Sequence, residues 1–176
     1  MVLWPAAIAL AHEIATRPDE FRGRTVLELG AGTGLPGIAA ASLGASVVQT
    51  DRSELAVYVC RMNGERNRVA GIVCRLADWT EWVDGTRYDW IVGSDILYAD
   101  HHHAHLRRIF EGNLAPGGRV LLSDPYRPPS VAFLEELEGA GWRSSHSRWR
   151  IGEGTEARAV AVFELTPPRG GERSSQ

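Results

Sequence analysis

Val26-Leu27-Glu28-Leu29-Gly30-Ala31-Gly32-Thr33-Gly34-Leu35-Pro36-Gly37 decides the fold. Arg24–Leu29 is a short β-branched and leucine run that reads as a buried strand. Gly30, Gly32 and Gly34 then alternate, so the backbone can turn sharply and approach a ligand closely. Leu35–Leu43 reads as a short helix, with Pro36 in a first turn whose N–H groups lack partners in any case. Strand, glycine turn and helix together make a nucleotide site.

Outward from this unit the same alternation repeats. Pro5–Thr16 predicts an amphipathic helix, and Arg17–Gly23 a polar link. Ala45–Thr50 predicts a strand ending in Asp51. Ser53 then caps a helix over Glu54–Arg66, whose apolar face is Leu55, Val57, Tyr58, Val59 and Met62. Gly71–Leu76 and Tyr88–Gly93 predict two more strands, the first leading to Asp78-Trp79 and the second to Ser94-Asp95-Ile96-Leu97-Tyr98. A helix capped by Asp100 runs to Glu111, Ala115–Gly118 is a turn, Arg119–Ser123 a fifth strand and Ser130–Gly139 a helix. Arg143–Arg150 and Ala157–Leu165 close the chain as a hairpin around Gly152 and Gly154. The expected fold is α/β: a Rossmann-like, doubly wound sheet of seven strands, mostly parallel with a C-terminal antiparallel hairpin. One domain is expected over residues 1–165, and a disordered tail over 166–176.

Composition narrows the function. At 176 residues and a formal charge of −3 the chain does not read as a general nucleic-acid binder. It carries no run of about 20 apolar residues that would span a bilayer, and its first residues do not read as a signal peptide. Every basic residue other than histidine is arginine, which excludes a Schiff-base or P-loop lysine. Two cysteines, Cys60 and Cys74, suit a reducing, cytoplasmic setting. Adjacent histidines in the run at 101, 102, 103 and 105 point in different directions on a helix, only His101 and His105 share a face, and no completing ligand lies nearby, so they read as a solvated helix start and no metal site is expected.

Gly32–Gly37 satisfies G-x-G-x-x-G, with Asp51 at the spacing of a ribose-binding carboxylate. An NAD(P)-dependent oxidoreductase is therefore one reading, and a cofactor-binding module without catalysis another. Against the first, Glu28 in front of the glycines would repel a pyrophosphate, and the chain is short for a separate hydride-acceptor region.

The run E-L-G-A-G-T-G, with Asp51 closing strand two and Asp78 after strand three, resembles the class I S-adenosyl-L-methionine-dependent methyltransferases. Leu3-Trp4-Pro5, Asp78-Trp79 and Asp95-Ile96-Leu97-Tyr98 resemble, more narrowly, the seven-strand protein-lysine methyltransferases of methyltransferase family 16. Asp124-Pro125-Tyr126-Arg127-Pro128 is similar to a D-P-G-R-P stretch in a mitochondrial member of that family. The resemblance implies an S-adenosyl-L-methionine site in which Gly30, Ala31 and Gly32 line the methionine part, Gly34 belongs to the same cofactor-binding turn and Glu28 lies near the amino end. Asp51 would hold the ribose hydroxyls, Asp78 and Trp79 the adenine, and Trp4 and Ser94 would touch the cofactor. It implies Asp95 and Tyr98 as the catalytic pair, with Asp95 orienting an attacking amine and stabilising the charge that grows on it. The acceptor would be a protein lysine. The family places a few dozen residues before its Trp-Pro motif, here at Trp4, and this departure admits a small-molecule amine as the alternative substrate.

Overall fold

The computed structural model describes residues 2–168. Seven strands form one sheet in the order β3-β2-β1-β4-β5-β7-β6. They are β1 (Thr25–Leu29), β2 (Ser46–Asp51), β3 (Ile72–Leu76), β4 (Tyr88–Ser94), β5 (Leu114–Asp124), β6 (Arg143–Ile151) and β7 (Arg158–Thr166). Pairings from β3 through β5 are parallel, and β7 inserts antiparallel between β5 and β6. The expected α/β sheet with its closing hairpin is the fold found. Thr166 belongs to β7 rather than to a tail, and residues 169–176 lie outside the described residues.

Period-two alternation in the central strands feeds two apolar layers. Leu27, Leu29, Ile91 and Leu122 face α5 (His103–Asn113) and α6 (Pro128–Gly139), which contribute Leu106, Phe110, Phe133 and Leu137. Val26, Val47, Val92 and Leu121 face the other way, against α1 (Pro5–Ala15), α2 (Pro18–Phe21) and α3 (Leu35–Ser42), which supply Leu10, Ile14, Phe21 and Ala40. Beside this layer a polar network ties α1 to the hairpin: Glu13 accepts from Ser147, Trp149 and Arg17, and Arg17 also pairs with Glu164.

Four local expectations are corrected. The polar link at Arg17–Gly23 contains α2, because Phe21 is fully buried and stacks on Trp90 at 4.8 Å. The helix α4 (Glu54–Arg66) buries its small residues Ala56, Cys60 and Gly64, while Leu55 and Tyr58 are exposed. Close approach to the sheet selects the small stripe there, so the large side chains turn outward. The Ala115–Gly118 turn is absorbed into β5 as an irregularity, where the pairing steps from Tyr88↔Leu114 to Trp90↔Arg119. Asp100 does not cap α5: a short 3-10 turn over Asp100–His102 precedes it, with no side-chain cap bond at Ala99. No helix among the described residues is long and apolar enough to cross a membrane.

Candidate active site

Strand order reverses between β1 and β4, and in open α/β sheets the crevice outside the strand ends at that switch point receives ligands. A cavity of about 550 Å³ lies there, lined by Trp4, Gly30, Gly32, Asp51, Arg52, Ala77, Asp78, Trp79, Ser94, Asp95, Ile96, Tyr98, His102 and Arg127. Its size is that of a nucleoside-sized ligand site.

The floor is built from the glycine turn. A methyl group added at Gly32 would meet nothing nearer than the Gly30 carbonyl oxygen at 4.0 Å, so this position faces open space where a ligand can come against the backbone. Its φ of +56° is one that glycine adopts without cost. Asp51 stands beside it at the end of β2. One carboxylate oxygen accepts the Gly32 N–H at 3.0 Å and the other the Ser53 N–H at 2.9 Å. The carboxylate is thereby fixed in place with lone pairs left over for ligand hydroxyls. Asp78 accepts both the N–H and the hydroxyl of Thr80, which hold its carboxyl below the usual carboxylate range. It caps a short 3-10 turn over Trp79–Glu81 while still lining the cavity. Trp4, at the start of α1, is 55% exposed, so it is a rim aromatic rather than a core one.

On the opposite side, Ser94 ends β4 and Asp95 follows with φ +58°, a left-handed conformation that aspartate tolerates better than most residues. The segment is clamped at both ends. The Asp95 N–H donates to Ser123 O at 2.8 Å, and His103 Nε2 lies 3.0 Å from Leu97 O. Tyr98, 52% exposed, stands at the mouth.

Three residues expected to face the cofactor do not line the cavity. Glu28 is turned inward beneath the turn, where its Oε2 accepts from Gln49 Nε2 at 2.6 Å and from the Gly37 N–H at 3.0 Å, and its Oε1 has no partner. On β1 it shares parity with Val26 and so points to the α3 side. The repulsion of a pyrophosphate that its sequence position suggests therefore has no geometric basis. Ala31 is buried with its N–H given to Thr50 O, and Gly34 caps α3 against Gln49 and Cys60.

The histidine cluster is also corrected. His102 and His103 are buried, not solvated. His103 stacks on Phe133 at 4.5 Å, and His102 meets the Trp79 ring edge-on at 5.3 Å. Burial first, then the neighbouring His101 and Arg52, lower the His102 pKa, so the ring entering the cavity is neutral near pH 7. Sequence reasoning missed Arg52, Ala77, Ile96 and His102 as lining residues, and Arg127 is discernible only as part of a loop at the active edge. That loop brings Arg127 onto Asp95: its guanidinium pairs with both carboxylate oxygens, Nη2 to Oδ2 at 3.2 Å.

Burial pushes the Glu28 carboxyl up to about 8, against the lowering effect of the Gln49 and Gly37 hydrogen bonds. The folded state then holds a proton that the unfolded chain releases near 4.5, so stability falls as pH rises from about 4.5 to about 8. Replacing Glu28 by Gln should flatten that fall, as read from thermal melts across the window. Parallel pH dependences in the two proteins would contradict this.

The family described as lysine methyltransferase matches residues 1–139 of this chain. Protein N-lysine methyltransferase METTL21A of Xenopus tropicalis is 35% identical over 131 residues, covering 72% of this chain and 60% of that protein. Histone-arginine methyltransferase METTL23 of Xenopus laevis is 35% identical over 104 residues, covering 56% of this chain and 44% of that protein. The aligned part thus spans less than two-thirds of either relative. Among solved structures, magnesium protoporphyrin IX methyltransferase (ChlM) from Synechocystis PCC 6803 with bound SAM has a TM-score of 0.71, covering 91% of this chain and 79% of that one at 17% identity. That likeness is one of fold.

Proposed function

The chain belongs to the lysine methyltransferase family, and from that premise we propose that it transfers a methyl group from S-adenosyl-L-methionine to an amine, a protein lysine before a small-molecule amine. The observation that carries this reading is one cavity holding Asp51 and Gly32 on one side and Asp95 on the other.

The residues fit the donor. Asp51 would take the ribose hydroxyls, the open face at Gly32 the methionine part, and Asp78 with Trp79 the adenine. Ser94 and Trp4 would close on it from the β4 end and the rim. When bound, the donor supplies an electrophilic methyl on a sulfonium. The protein's work is then alignment, which in such reactions can supply much of the rate. Asp95 would accept an N–H of the acceptor amine and stabilise the positive charge that grows on its nitrogen. Tyr98 would accept a second N–H at the mouth. We assign this activity to one domain over residues 1–165 and to a reducing, cytoplasmic setting, in keeping with thiols at Cys60 and Cys74 that contact Gly32 O and Gln49 Oε1.

The test is transfer of labelled methyl groups from S-adenosyl-L-methionine into heat-treated cell extract, compared with Asp95→Asn. Asparagine also tolerates the left-handed backbone at this position, so the change falls on charge. The variant should bind S-adenosylhomocysteine like the wild type and transfer about 100-fold more slowly. Equal labelling by the two proteins would remove Asp95 from the mechanism.

A further inference from the structure

Arg127 pairs with the carboxylate that the proposed acceptor amine would address. Its fork covers both oxygens of Asp95, and its Nη1 reaches Asp124 Oδ2 at 3.5 Å. Asp124 is completely buried at the end of β5 and accepts the Arg127 backbone N–H at 2.8 Å. Tyr126, with φ +64°, gives the turn that folds Arg127 back over the strand edge. Two carboxylates therefore share one guanidinium, which never loses its proton in a protein.

We propose that Arg127 is a positioning residue that offsets the Asp95 charge in advance, so that the acceptor subsite holds the ammonium less strongly than the two bare carboxylates would. The inference rests on the amine methylation proposed above. An ammonium has no lone pair with which to attack carbon, and with a reference pKa of about 10.4 only about one lysine amine in 2,500 is free at pH 7. Two uncompensated carboxylates would stabilise the ammonium and lower that fraction. With Arg127 in place, the bidentate pair holds the carboxylate still, and its remaining lone pairs can receive an amine N–H as charge develops.

Among the described residues, the other charges around the cavity make no pair with Asp95. Asp51 and Asp78 add negative charge and are engaged by Gly32, Ser53 and Thr80. His102 is held toward its neutral form, and Tyr98 offers a hydroxyl. Among the described lining residues, Arg52 is the other arginine, and it follows Asp51 at the β2 end.

The experiment measures initial rates of methyl transfer to heat-treated extract from about pH 6 to about pH 10, a range that brackets amine deprotonation, for the wild type, Arg127→Gln and Arg127→Lys. Calorimetric titration with S-adenosylhomocysteine checks each fold. The wild-type rate should rise along an alkaline limb as the amine loses its proton. In Arg127→Gln the limb should move alkaline by about one pH unit or more, with a neutral-pH rate about tenfold lower per unit. The half-saturating extract concentration should fall, because the ammonium binds better, and the rate should recover at high pH. Arg127→Lys keeps the charge and should keep the limb. A uniform loss across pH in Arg127→Gln with an unmoved limb would overturn the proposal, as would a limb in Arg127→Lys that moves as far as that of Arg127→Gln. No labelling by the wild type at any pH, with S-adenosylhomocysteine still bound, would overturn the amine-methylation reading itself.

Discussion

Asp51→Ala should weaken S-adenosylhomocysteine binding by about 100-fold or more while leaving the fold intact. The side chain is half-buried at the end of β2, and its two oxygens are aimed by the Gly32 and Ser53 N–H groups. Hydrogen bonds to a charged group contribute about 1.5–3 kcal/mol each, so losing a bidentate hold on two ribose hydroxyls removes about 3 kcal/mol at the least. Asp51→Asn keeps the shape and one acceptor and should lie between, about tenfold weaker. Calorimetric titration measures both, with thermal melts as the check on folding. Affinity within about threefold of wild type for Asp51→Ala, or about 0.7 kcal/mol, would remove the ribose role from this residue.

Gly37→Ala should act on stability instead. Gly37 is the last glycine of the dinucleotide-like match, and it lies in the first turn of α3, away from the cavity. A methyl group there would come within 2.5 Å of Gln49 Nε2 and 3.0 Å of Gln49 Cδ, and closer still to the Glu28 carboxylate. All three residues are buried, and the Gly37 N–H is one of the two donors that Glu28 Oε2 accepts. Overpacking together with a disturbed buried hydrogen bond should cost about 3 kcal/mol, lowering the melting midpoint by roughly 6–12 °C. Gly139→Ala is the control, since nothing lies within 4 Å of a methyl group there. A Gly37→Ala midpoint within about 2 °C of wild type, under 1 kcal/mol, would show that α3 has room to shift.

That glycine shows how far a sequence can be read here. Its helix-packing role is legible, because a glycine next to a strand-turn-helix unit has few other reasons to be there. What it packs against is not, because Gln49 reaches it from another strand. The same divide runs through the site. Asp51 ends β2, and Asp78 and Asp95 follow the ends of β3 and β4, so chain order brings them to one edge. Glu28 sits one residue before that edge, and the alternation of β1 turns it inward, a distinction of a single register step. His103 looks polar and therefore solvated, yet its ring is buried to hold the Leu97 carbonyl. The pairing of Asp95 with Arg127 joins two loops that follow different strands, and no local pattern encodes it.

Acid hydrolysis of the labelled extract proteins, followed by amino-acid analysis, tests the central claim most directly. The account predicts label in Nε-methylated lysine, reduced about 100-fold by Asp95→Asn. Label in methylarginine, or confined to small molecules, would contradict the proposed acceptor, and binding of NAD without binding of S-adenosylhomocysteine would contradict the methyl donor.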